Sequence, residues 1–184
     1  MISEIIKNRR SVFPDQYNQE PILESEIEQL LEAANWAPSH KKTEPWRFKV
    51  FQGESQAALG LFLAEKFKET AQTFSEFKYN KLKENPVKAG CIIAICMQRD
   101  PNESIPEWEE IAATAMAVQN MWLVAESLSI GAYWSSPGLV KYMGEFINLA
   151  EGERCLGFFY VGKYDEKVSE GYRKSNIEAK TVWM

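Results

Sequence analysis

Apolar positions at helical spacing open the chain: Ile2, Ile5 and Ile6 share one side of a run that predicts a short helix over Ile2 to Arg10, ahead of Pro14. A second stripe, Ile27, Leu30, Leu31 and Ala34, follows Pro21 and is ended by Pro38. Phe48-Lys49-Val50-Phe51 alternates and predicts a strand closed by Gln52-Gly53. From about 55 to 85 the chain is rich in lysine and aromatic residues, with Phe62, Phe67, Phe74, Phe77 and Tyr79 at mixed helical spacing. That predicts helix packed on a core, with a lid over a substrate as the alternative. Cys91-Ile92-Ile93-Ala94-Ile95-Cys96 is apolar throughout and of strand length, the pattern of a central strand covered on both faces. Ala132-Tyr133-Trp134 and Cys155 to Val161 predict two more strands. No repeat, linker or low-complexity segment divides the chain, so residues 1–184 are expected to form one domain.

Trp108 to Ser129 is the longest helical stretch and is apolar nearly all round, from Ala112 and Ala113 through Met116, Val118, Met121 and Trp122 to Ala125. Such a helix is buried on most sides. A chain of 184 residues has little else to cover it, so a homodimer is expected in which this helix packs on its symmetry mate across small alanines. Burial within one protomer is the alternative. From Lys163 onward the tail is polar but carries Val182-Trp183, which suggests an arm that docks.

Charge narrows the chemistry. A formal charge of −5 argues against a nucleic-acid surface, which needs a dense field of Lys and Arg. No stretch approaches the ~20 apolar residues that span a bilayer, and Met1-Ile2-Ser3-Glu4-Ile5-Ile6 lacks the pattern of an export signal, so a cytoplasmic protein is expected. Cys91, Cys96 and Cys155 lie in apolar runs and are expected to be buried free thiols. Five residues apart on one strand, Cys91 and Cys96 face opposite sides and cannot share a metal, and His40 is the only histidine, so no metal site is expected. Gly157 to Lys163 imitates a phosphate-binding loop but places Tyr164 where Ser or Thr must ligate magnesium. No Gly-x-Gly-x-x-Gly joins a strand to a helix, so a resident dinucleotide domain is absent. Glu103, Glu107, Glu109 and Glu110 fit no calcium loop and are expected to form a solvated helix start.

Two segments do point to a ligand. Arg9-Arg10-Ser11 offers two permanently charged donor forks and a hydroxyl, suited to a phosphate monoester. Ala37-Pro38-Ser39-His40-Lys41-Lys42-Thr43-Glu44-Pro45-Trp46-Arg47-Phe48 is a polar loop pinned by two prolines, suited to a rigid turn laid against a planar cofactor. With the Gly131-Ala132-Tyr133-Trp134-Ser135-Ser136 segment, Gly162-Lys163 and the pair Arg173-Lys174, the order and spacing of these motifs resemble the nitroreductase family of FMN-dependent oxidoreductases over nearly the whole chain.

The resemblance implies an α+β fold: a central mixed, mostly antiparallel sheet flanked by helices, in an intertwined homodimer whose C-terminal arm, about 164–184, crosses onto the partner. It implies FMN held at its phosphate or ribityl chain by Arg9 and Ser11, with Arg10 beside them and Arg173 or Lys174 adding charge. Trp36 and His40 match positions that line the flavin edge or reach the partner's site. Trp134, Ser135 and Ser136 match the segment along the isoalloxazine, where a backbone N–H of Ser136 or Gly138 meets flavin N5; Pro137 has none to give. NADH or NADPH is then a transient reductant and a nitroaromatic, quinone or similar small molecule the acceptor, the hydride chemistry belonging to the cofactor. In this family the stretch at 55–85 varies and contributes to the pocket. Flavin-dependent oxygen chemistry, dehalogenation, or a flavin sensor without turnover are the alternatives on the same fold. Glu44 and Arg47 stand where many relatives carry Gln and His, and a carboxylate there would oppose a reduced flavin unless Arg47 or Lys42 pairs with it.

Overall fold

The computed structural model describes residues 1–165 and 169–184. Five α-helices are present among them: α1 Ile2–Asn8, α2 Glu24–Asn35, α3 Glu54–Thr70, α4 Glu76–Lys88 and α5 Glu107–Ser127. The strands are β1 Trp46–Phe51, β2 Cys91–Gln98, β3 Gly131–Ser135 and β4 Glu153–Gly162, forming one sheet in the order β1-β2-β4-β3. Every strand pair is antiparallel; the parallel component of the expected mixed sheet is a single bridge from Ser11 to Ala132.

Alternation along β2 divides the core in two. Cys91, Ile93 and Ile95 pack with Phe159 and Val161 against α2 and α5, whereas Ile92, Ala94 and Cys96 pack with Phe158 and Tyr160 against α3 and the 3-10 run Gly138–Glu145. Both faces of β2 are therefore dry, as its unbroken apolar sequence requires. The 55–85 stretch splits into α3 and α4, because the Ser75 side chain accepts the Lys78 N–H and starts a new helix. These two helices approach closely at Gly60, where a Cβ would fall 2.4 Å from the Lys83 carbonyl oxygen. Gln56, buried between them, donates to the carbonyls of Pro86 (2.9 Å) and Ala89 (2.8 Å) at and just past the end of α4.

One expectation is corrected in part. Of the acidic group at the start of α5, Glu103 and Glu107 are exposed as expected and Glu109 is half-buried, but Glu110 is fully buried, pairs with Arg99 and accepts the Asp100 N–H at 2.9 Å. Helix α5 is not buried all round within one protomer, so that alternative is set aside and the helix keeps the outward face that the expected dimer would cover. Its Ala113, Ala117, Val118, Met121 and Ala125 face the sheet, but Trp108 is 67% exposed and Met116 41% exposed on the side away from it.

The three cysteines are buried and free, on the two sides of β2 that their spacing required. Burial pushes the Cys91 thiol up to about 12. A hydrogen bond with Cys155, directly opposite on β4, and then burial hold Cys96 protonated. None of the three is expected to react with iodoacetamide at pH 8 in the folded protein, and all three should react after unfolding in urea. Mass spectrometry showing labelling of the native protein would contradict this burial.

Candidate functional site

The segment leaving α1 runs along the outer edge of β3, held by the Ser11–Ala132 bridge and by the Val12 N–H donating to Ala132 O at 3.0 Å. Tyr17 fixes its far end, donating to Val12 O (2.8 Å) and Tyr160 O (3.2 Å). This placement orients Arg9. Its guanidinium stacks on Trp122 of α5, 4.3 Å from the ring centroid, and its Nη1 is buried with no hydrogen-bond partner. Burial, then Arg10, and more weakly Arg173 push the Arg9 guanidinium below its ordinary range, against the pull of Glu126.

A buried donor beside two further cations is costly unless an anion completes it. The arrangement therefore fits a phosphate monoester. Arg10 is differently engaged: its Nη1 donates to Lys7 O (2.7 Å) and Arg9 O (2.8 Å), and its Nε to Ser169 O (3.3 Å). Gly171 lies flat on the same guanidinium, where a Cβ would come 2.3 Å from Cζ. Arg10 thus anchors the returning tail, which brings Arg173 within the field of Arg9; Lys174 is exposed.

Four residues past Arg9, Phe13 reaches a cavity of about 690 Å³ that it shares with Gln16, Lys81, Asn85, Tyr133 and Ser135. Extended backbone of that length spans about 13 Å, so the cation cluster and the cavity lie along one short segment at the edge of β3. The strand's alternation splits the predicted trio. Ser135 faces the cavity with Tyr133, which stacks on Tyr160 at 5.1 Å. Trp134 points to the other face, where its indole covers Gly157 so closely that a Cβ there would fall 2.2 Å from Nε1. That Nε1 is buried without a partner. Ser136 and Gly138 are exposed, and a Cβ at Gly138 would meet nothing within 4 Å, so the backbone there opens onto free space. Sequence reasoning missed Lys81 and Asn85. Their i,i+4 spacing on a polar helix face resembles any solvated surface, and only the fold turns that face toward β3.

The second predicted cluster lies elsewhere in the protomer. His40 Nδ1 is 2.5 Å from Glu109 Oε2 in the first turn of α5, and Trp36 is an exposed helix end donating to Glu32 at 2.8 Å. Along α5, Glu109 and Trp122 are about 20 Å apart at 1.5 Å per residue. Within one protomer His40 therefore stands at the opposite end of α5 from Arg9, while the last turn of α2, which Trp36 closes, is tied to the middle of α5 by Asn120 donating to Ala33 O at 3.1 Å. The loop carrying them is strained: Lys41, Lys42 and Glu44 have φ of 52°, 55° and 43°. Such non-glycine backbone costs roughly 1–2 kcal/mol per residue and is held by its surroundings. Arg47 donates to the Glu44 carbonyl at 2.9 Å and leaves its carboxylate unpaired among the described residues, so the pairing required to neutralise Glu44 is absent within the protomer.

The sequence profile described as the Nitroreductase family matches residues 6–163, most of the chain. The chain belongs to the nitroreductase family. "Putative NAD(P)H nitroreductase YfhC" of Bacillus subtilis (strain 168) is 30% identical to it over 169 residues, covering 90% of this chain and 86% of that protein. A nitroreductase-like family protein from Bacillus cereus has the same structure at a TM-score of 0.83 and 29% identity, over 100% of this chain and 96% of the other. Oxidised iodotyrosine deiodinase bound to FMN and 3-iodo-L-tyrosine matches at a TM-score of 0.73, over 96% and 97% of the two chains; at 19% identity the likeness is one of fold. Among the described residues of this nitroreductase-family chain no helix is long and apolar enough to cross a membrane, and no group of three His, Cys, Asp or Glu could hold a metal.

Proposed function

We propose that this chain is an FMN-dependent oxidoreductase, a homodimer that takes hydride from NADH or NADPH and delivers it to an electron-poor small molecule of the nitroaromatic or quinone class. The observation that carries this reading is the buried, partnerless Nη1 of Arg9 beside Arg10 and Arg173, on the segment that leads to the cavity beside Ser135. Arg9 and Ser11 bind the FMN phosphate, with Arg173 supplying charge from the tail. Lys81 places a cation at the cavity end, suited to the electron-rich edge of a reduced flavin. The exposed backbone from Ser136 to Gly138 supplies the N–H that faces flavin N5. When bound, the flavin supplies the hydride-exchanging centre, and reductant and acceptor occupy one slot in turn.

The dimer supplies what the protomer leaves out. Trp108, Ala112, Ala115, Met116, Gln119 and Leu123 form one outward stripe along α5. Packing this stripe antiparallel on its twofold mate sets the His40 end of one α5 beside the Arg9 end of the other. His40, Trp36 and the strained loop then complete the partner's site, and the tail, with Val182 and Trp183 exposed, docks on the partner surface. Residues 166–168 of that tail lie outside the described residues.

The test is the visible spectrum of the purified protein, followed by anaerobic addition of NADH and then NADPH. Flavin absorbance that bleaches on mixing is expected. Flavin that stays oxidised with both would refute the reductase, and no flavin uptake from added FMN would refute the cofactor.

A further inference from the structure

We propose that the acceptor taken into this site carries an anionic group, a carboxylate on a planar ring, recognised by Lys78 and Lys141. This rests on the oxidoreductase reading above and names its substrate class.

A second cavity, of about 600 Å³, lies immediately past the first, on the other side of the exposed backbone at Pro137–Gly138. One wall is the α3–α4 connection, through Thr70, Ala71, Gln72 and Thr73. Helix α4 faces both cavities at once. Lys81 and Asn85 point into the first, Lys78 and Leu82 into the second. A ligand lying on a flavin beside Gly138 therefore extends toward Lys78.

The second cavity pairs apolar planes with cations. Lys78 Nζ stands 4.7 Å from the Phe67 ring centroid and Lys141 Nζ 4.9 Å from that of Tyr142, positions favoured by the ring quadrupoles. Neither ammonium has a carboxylate within ion-pair distance among the described residues, and no acidic side chain lines the cavity. Lys66 shows the contrast. It lies over the same Tyr142 ring at 5.5 Å but is held by Glu69 (2.8 Å) and Glu145 (2.6 Å), so its charge is already met. Two unmet cations facing Phe67, Leu82 and Tyr142 suit a flat ring that ends in an anion. Both ammonium groups are exposed to water, so a neutral acceptor would bury the same apolar surface and gain no charge-assisted hydrogen bond from them.

The test uses the flavin-loaded protein and two non-reducible probes, benzoate and benzyl alcohol, titrated calorimetrically at low ionic strength. Benzoate is expected to bind ~10-fold more tightly, and the double variant Lys78→Gln/Lys141→Gln to abolish that preference without changing benzyl alcohol. In turnover, the KM for 4-nitrobenzoate should rise ~10-fold in the double variant with kcat nearly unchanged, while 4-nitrobenzyl alcohol is unaffected. Equal binding of the two probes to the wild type would overturn the proposal. So would a loss confined to NADPH or NADH, which would assign the lysines to the dinucleotide phosphates. Failure to reduce either nitro compound would instead count against the oxidoreductase reading, and the calorimetric comparison would still decide the fate of Lys78 and Lys141.

Discussion

Arg9→Ala is expected to weaken FMN binding by about 100-fold or more, so that the variant purifies without flavin under conditions that retain it in the wild type. A bidentate guanidinium–phosphate contact contains two charge-assisted hydrogen bonds, each worth about 1.5–3 kcal/mol, and part of that is recovered by water in the emptied site. The fold should survive. Arg9 contributes its stacking on Trp122 but also an unanswered positive charge beside Arg10 and Arg173, and these oppose one another in the flavin-free protein. Thermal denaturation separates the two effects: the flavin-free Tm should hardly move, while the rise in Tm on adding FMN disappears. Arg9→Lys keeps a charge without the fork and should fall between. Arg10→Ala should cost less FMN affinity than Arg9→Ala, because Arg10 is already committed to the carbonyls of Lys7, Arg9 and Ser169. Full flavin occupancy in Arg9→Ala would remove Arg9 from the site.

Ala115→Glu combined with Met116→Glu is expected to convert the dimer to a monomer and to take the flavin with it. Both positions lie on the outward stripe of α5, where the sheet does not reach and Met116 is exposed in the protomer. Two carboxylates from each subunit would meet their copies in a dry interface, at a cost of several kcal/mol per buried charge. In the isolated protomer the same residues face water and should cost little, so the variant should fold. Light scattering after size-exclusion chromatography gives the mass, and the ratio of visible to ultraviolet absorbance gives the flavin content. A wild type that is already monomeric would refute the dimer, and a dimeric double variant would move the interface away from α5. A monomer that keeps its flavin would leave the dimer in place but remove the partner's loop at His40 from the site.

Some of this was legible because the physics is local. The dry run at 91–96 had to be a doubly covered strand, and β2 is one. Arg9-Arg10-Ser11 drew attention as donors suited to a phosphate through residue type alone, and the buried, partnerless Nη1 lies in that segment. What sequence could not give was the division of labour. Arg10 is engaged in part by the Ser169 carbonyl of the distant tail, which no local pattern announces, whereas the turn of Trp134 away from Ser135 follows from strand alternation and was already legible. The α3–α4 break at 71–75 contains neither glycine nor proline and gave no stop signal. Lys81 and Asn85 lie about fifty residues from Ser135, and nothing in local pattern links them.

By itself the sequence determined most of the elements, the doubly covered strand and the donor chemistry that Arg9-Arg10-Ser11 could offer an anion, because hydrophobic period and side-chain functional groups act within a few residues of one another. Only the tertiary structure decided that Arg9 is stacked on Trp122, that α4 faces β3 across one cavity and the Pro137–Leu139 backbone across another, and that His40 and Arg9 occupy opposite ends of α5. These depend on which distant surfaces the chain brings together, and so on the packing of layers instead of on any local preference.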